Sequence, residues 1–62
     1  MKVRELIRIL EKDGWILIAT KGSHRQYKHP VKKGKVTVPG HWNDDVAKGT
    51  LSSIYKQSNL NK

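Results

Sequence analysis

Trp15-Ile16-Leu17-Ile18-Ala19-Thr20-Lys21-Gly22-Ser23-His24-Arg25-Gln26-Tyr27-Lys28-His29-Pro30-Val31-Lys32-Lys33-Gly34-Lys35-Val36-Thr37-Val38 is the stretch that decides the fold. Trp15 to Thr20 is aromatic, aliphatic and β-branched, and too short for an independent helix, so it reads as a strand. Lys21-Gly22-Ser23 is a turn signal. His24 to His29 is polar around a single aromatic and halts at Pro30. Val31 to Gly34 forms a second turn. Lys35 to Val38 alternates and ends at Pro39, the mark of a short third strand. Two hairpins in succession predict a three-stranded antiparallel meander. Alternation then sorts the faces. Tyr27 is the only apolar side chain of the second strand, so it points to a core, and Arg25 and His29 share its parity. Val36 and Val38 point the same way. The opposite face carries His24, Gln26, Lys28, Lys35 and Thr37, a basic surface with an imidazole at its margin.

Outside the meander lie two segments of helical period. Val3, Leu6, Ile7 and Leu10 fall at i, i+3, i+4 and i+7 on one face, with Arg4, Glu5, Arg8, Glu11 and Lys12 on the other. Gly14 is placed for a left-handed stop. No good N-cap residue precedes Val3, so a fraying first turn is expected. Near the other end, Leu51, Ile54, Tyr55 and Ser58 repeat the pattern, with Thr50 or the residue just before it as cap and Asn59 as terminator. Between sheet and second helix, Pro39 to Asp45 is a loop with several breakers. A three-stranded sheet needs one face covered, and two one-sided helices cover it most simply from the same side. The expected architecture is α+β, in the order α-β-β-β-α, with residues 1–62 as one domain.

At 62 residues the core is thin, since a chain this short buries only roughly 60% of the surface it exposes unfolded. Thirteen Lys+Arg against five Asp+Glu give a net charge of +8, which favours a polyanionic or acidic partner. Cysteine is absent, which removes disulfides, thiol nucleophiles and cysteine-based zinc sites. The longest apolar run, Trp15 to Ala19, is far too short to span a bilayer. Arg4, Glu5 and Arg8 interrupt the N-terminal apolar segment, unlike a signal peptide. The expected setting is cytoplasmic, with no membrane partner.

No phosphate-binding glycine loop is present. Asp44 and Asp45 are the only close acidic pair, too little for a carboxylate two-metal site, and His24, His29 and His41 match no familiar ligand spacing. No metal and no small-molecule cofactor are expected. What remains is Lys21-Gly22-Ser23-His24-Arg25. A histidine among cations can cleave RNA without a metal: the ribose 2′-hydroxyl attacks, and the imidazole takes its proton or gives one to the leaving oxygen. Neighbouring Lys and Arg stabilise the added negative charge on the phosphorane. Taken alone the motif also fits a solvated surface histidine.

Gly14-Trp15, Gly22-Ser23-His24, Tyr27-Lys28-His29-Pro30, Thr37-Val38-Pro39 and Gly49-Thr50-Leu51 with Ile54, Lys56 and Gln57 occur in an order and spacing that resemble the HicA toxin family, over roughly residues 3–60. The resemblance implies a double-stranded-RNA-binding-domain-like fold. It also implies a small endoribonuclease acting on messenger RNA and neutralised by a HicB-type antitoxin. The family's catalytic histidine, in the Gly-Ser-His motif, corresponds to His24. Lys21, Arg25 and Lys28 then become candidate phosphate contacts, with Lys35 on the same basic face and Gly22 and Ser23 forming the turn that meets the RNA. Ser23 as a simple turn cap is the reading preferred over a direct role, and Tyr27 reads as core rather than as a base-stacking platform. Ala19 stands where many members carry arginine, Val46 where leucine is common, and Trp42 to Asp45 is unusually acidic. Two other functions fit the same surface: a non-catalytic RNA-binding module, and a basic module that docks an acidic protein.

Overall fold

The computed structural model describes residues 1–60. The element order is α1 (Val3–Lys12), β1 (Ile16–Lys21), β2 (His24–Lys28), β3 (Lys35–Val38) and α2 (Lys48–Ser58). The strands form one antiparallel sheet in the order β1-β2-β3. Val3, Leu6, Ile7 and Leu10 of α1, Trp15, Tyr27 of β2, Val36 and Val38 of β3 and Ile54 of α2 form one buried cluster. All the strand residues in that cluster share the parity of Tyr27. Both helices therefore lie on one face of the sheet, as the alternation requires. On the other face His24, Lys28, Lys35 and Thr37 are exposed and Gln26 is half-buried.

The end of α1 follows from Gly14. Its φ is +103°, a region that a Cβ disfavours. The Gly14 N–H donates to the Glu11 carbonyl and the Trp15 N–H to the Leu10 carbonyl, both at 3.0 Å. That is the Schellman pattern, with Trp15 and Leu10 buried together beneath it. A Cβ at Gly14 would also stand 2.8 Å from Nε2 of His29, so the position needs glycine for space as well as for conformation. Asn59, at φ +55°, ends α2, and the Leu60 N–H donates to the Tyr55 carbonyl at 3.0 Å.

Three boundaries differ from the sequence expectation. β1 starts at Ile16 and runs to Lys21, because Trp15 completes the helix stop and drops into the core. α2 starts at Lys48, with Ala47 in the cap position and no side-chain cap, so Thr50 lies inside the first turn. The first turn of α1 does not fray. The Val3 N–H donates to the Asp44 carbonyl at 2.8 Å and the Arg4 N–H to the Trp42 carbonyl at 3.1 Å. The Glu5 carboxylate accepts from the Lys2 N–H at 2.7 Å, the return half of a capping box. Arg4 also donates to Oδ1 of Asn43 at 2.6 Å, and Lys2 pairs with Asp45 at 3.3 Å. The acidic loop is the cap of α1: backbone carbonyls from some forty residues away satisfy donors that a local side chain usually takes.

Candidate RNA-cleaving site

Lys21 and His24 face each other across the β1–β2 pair, joined by the two-residue turn Gly22-Ser23. Gly22 has φ +59° and Ser23 does not share that sign, which is the pattern of a II′ hairpin with glycine in its first central position. A Cβ at Gly22 would meet nothing within 4 Å. The glycine is therefore required by the turn's conformation, not by crowding within the chain. Directly opposed strand residues hold their Cβ atoms about 4.5–5.5 Å apart on the same face. The turn thus sets the Lys21 ammonium stem beside the exposed His24 ring.

The strand registers extend this pair into rows. Ala19 opposes Gln26, which opposes Thr37, and Ile16 opposes Lys28, which opposes Lys35. Lys21, His24, Lys28 and Lys35 therefore share the helix-free face, with Ala19 in its middle row. The strands contain Lys21, Arg25, Lys28 and Lys35 and no carboxylate. Arg25 stands apart from the others. Its guanidinium donates to the Gly40 carbonyl at 3.1 Å and lies 5.8 Å from the centroid of the Trp42 ring. Arg25 follows the parity of Tyr27 to the helix side and holds the 40–42 loop against β2. Of the six candidate RNA contacts, Lys21, Gly22 and Ser23 flank His24 directly, Lys28 and Lys35 lie further along its face, and Arg25 lies behind it. His41 is exposed in the loop that caps α1.

His29 has a structural task. Its Nδ1 accepts the N–H groups of Val31 and Lys32, both at 3.0 Å, and its Nε2 lies 2.7 Å from the Asp13 carbonyl. A carbonyl only accepts, so Nε2 is the nitrogen that donates in this arrangement. The ring also meets Trp15 edge-on, with centroids 5.2 Å apart. Lys32, which the sequence shows only as part of a turn, ties the ends of both helices together. Its ammonium sits 2.6 Å from Oδ2 of Asp13 and donates to the Ser58 carbonyl at 3.0 Å. Trp15 Nε1 donates to the same Asp13 carboxylate at 3.1 Å.

The Lys32 hydrogen bond holds the Asp13 carboxyl below its ordinary value of 3.8, with Trp15 assisting and partial burial opposing. A depressed folded-state value stabilises the fold above the ordinary carboxylate range, and that stabilisation is lost as pH falls through the folded value. Urea midpoints followed downward from pH 6 should therefore fall in acid, and Asp13→Asn should flatten that part of the profile while lowering the midpoint at pH 6. An unchanged acid limb in Asp13→Asn would show that Asp13 does not contribute to it. Burial raises the Tyr27 phenol above 10.0, so it is neutral in the core at neutral pH.

Among the described residues, no three His, Cys, Asp or Glu side chains come together as possible metal ligands, and no helix is long and apolar enough to cross a membrane.

The described structure is a small α+β helix–meander–helix whose open sheet face carries a hairpin-tip histidine beside lysine. The family model described as HicA toxin of bacterial toxin–antitoxin systems matches residues 3–60, nearly the whole chain. The chain belongs to the HicA toxin family, and its role is that of a toxin paired with an antitoxin. No curated protein matches the chain.

Proposed function

We propose that the chain is an endoribonuclease that cleaves messenger RNA by transesterification, with His24 as its catalytic residue and a HicB-type antitoxin as its inhibitor. The observation that carries the reading is the Lys21–His24 cross-strand pair at a glycine-made turn, in a member of this toxin family. The 2′-oxygen attacks the adjacent phosphorus, the P–O5′ bond breaks, and the products are a 2′,3′-cyclic phosphate and a 5′-hydroxyl. His24 removes the 2′-hydroxyl proton or protonates the departing 5′-oxygen. Lys21 stabilises the phosphorane charge, while Lys28 and Lys35 hold the strand through neighbouring phosphates. The nucleophile belongs to the substrate and the charge is met by lysines, so the route calls for no metal and no cofactor. An aqueous cytoplasmic setting, where messenger RNA is the abundant polyanion, suits this chemistry.

The direct test offers purified protein a single-stranded RNA and the DNA of the same sequence, with chelator present. Cleavage of RNA alone, leaving cyclic-phosphate ends, is the expected result. RNA binding without cleavage would instead favour a non-catalytic binding module. Ala19 gives a second handle. It lies in the middle row of the face, between Lys21 and Lys28 in β-sheet position, where an arginine adds one phosphate contact. Ala19→Arg should tighten RNA binding and steepen the slope of log K against log salt by about 0.7, the value for one extra contact to a single strand. An unchanged slope would place the RNA elsewhere.

A further inference from the structure

The two margins of the sheet differ in kind. β3 has four residues, turns Lys35 and Thr37 outward and stops at Pro39. Shortness, lysine and proline are how natural sheets close an edge to other strands. β1 has six residues, every one exposed, and opens on the longest apolar run of the chain. Ile16 is 58% exposed and Leu17 and Ile18 are each 47% exposed. The core takes Trp15 and nothing further from this run. The register shifts between Leu17 and Ala19, leaving Ile18 as the extra residue of a bulge. Such an edge offers unpaired backbone donors and acceptors flanked by aliphatic side chains, the combination that recruits another strand.

We propose that β1 is the docking edge for an extended acidic segment of a partner protein, which joins the sheet as a fourth strand and sets a carboxylate against Lys21 beside His24. The proposal rests on reading the chain as a toxin with a protein antitoxin, and it specifies how that partner reaches the site. The partner is polypeptide because aliphatic side chains beside free ladder groups match another β-strand. It is acidic because the sheet holds Lys21, Arg25, Lys28 and Lys35 and no carboxylate. A second copy is disfavoured on the same ground: it brings two chains of charge +8 edge to edge, with no acid in either sheet to offset them. Strand spacing completes the argument. Lys21 opposes His24, so the new residue opposite Lys21 lies in the same row, two strand spacings or about 10 Å from the β2 backbone. A glutamate there reaches the Lys21 ammonium, neutralises the cation beside His24 and narrows the approach to it.

The probe is an end-blocked nine-residue peptide alternating glutamate with valine and isoleucine, titrated into the isotopically labelled full chain. Amide shifts and slowed hydrogen exchange should appear along residues 16–21. Ile16→Ser combined with Ile18→Ser, both at exposed positions and neither changing the charge, should weaken binding at least tenfold, and so should lysine in place of glutamate in the peptide. The proposal is overturned by no shift in β1 at millimolar peptide. It is equally overturned if a peptide of the same charge with a central proline binds as well, or if β1 shifts arise from self-association of the chain. The ribonuclease reading is judged separately: RNA cleavage without peptide binding at β1 overturns the edge alone, and binding at β1 without RNA cleavage overturns the ribonuclease alone.

Discussion

His24→Ala should lower RNA cleavage by at least about a hundredfold and leave the fold unchanged. A positioned acid–base side chain typically contributes 10²–10⁴-fold, and in the proposed route His24 is the one imidazole at the hairpin tip. The ring is exposed and outside the buried cluster, so its removal leaves no cavity. Thermal midpoint and circular dichroism should match the parent, and RNA affinity should fall little, because Lys21, Lys28 and Lys35 retain the phosphate contacts. Cleavage rate, binding and melting measured on one preparation separate these effects. A variant that cuts at the parent's rate, with contaminating nucleases excluded, would assign the chemistry to another residue.

The largest stability effect should come from Tyr27→Ala. Tyr27 is 1% exposed in the middle strand, paired with Leu17 on one side and Val36 on the other. Removing a buried aromatic side chain costs about 3–5 kcal/mol. A domain of this length has a total stability of roughly 3–9 kcal/mol. The variant should therefore be largely unfolded at 37 °C by circular dichroism. Tyr27→Phe, which keeps the volume, should fold and melt close to the parent. A well-folded Tyr27→Ala with a midpoint only a few degrees lower would mean that the core is not centred on this ring.

Much of this fold is legible in the sequence because its signals are local. One aromatic in a polar strand set the parity of β2, and the exposed row from His24 to Lys28 followed. Gly14 and Asn59 marked helix ends because a left-handed residue is needed there. What escaped the sequence depends on contacts between distant segments. The α1 cap is made by the Asp44 and Trp42 carbonyls, and a carbonyl leaves no trace in residue identity. Lys32 stood in a turn beside Lys33, and nothing local marks it as the residue that meets Asp13 and Ser58. The apolar run Trp15 to Ala19 reads as a strand, and its residue types do not tell that Ile16, Leu17 and Ile18 stay exposed. Their exposure follows from where the helices sit: α2 packs on β3, at the far margin of the sheet.

The candidate site divides along the same line. The hairpin put Lys21, Gly22, Ser23 and His24 together, as a two-residue turn between paired strands must. Arg25 sits one residue further on, and the period of two sends its side chain to the helix side, onto Gly40 and Trp42. A cluster of cations in sequence is therefore not a cluster in space within a strand.

The most direct test of the central claim is inducible expression of the parent chain and of His24→Ala in cells, with growth and total messenger RNA followed together. The account predicts growth arrest with transcript cleavage for the parent, and neither for the variant at equal protein level. Intact transcripts and normal growth with folded parent protein would contradict it, as would equal arrest by both chains.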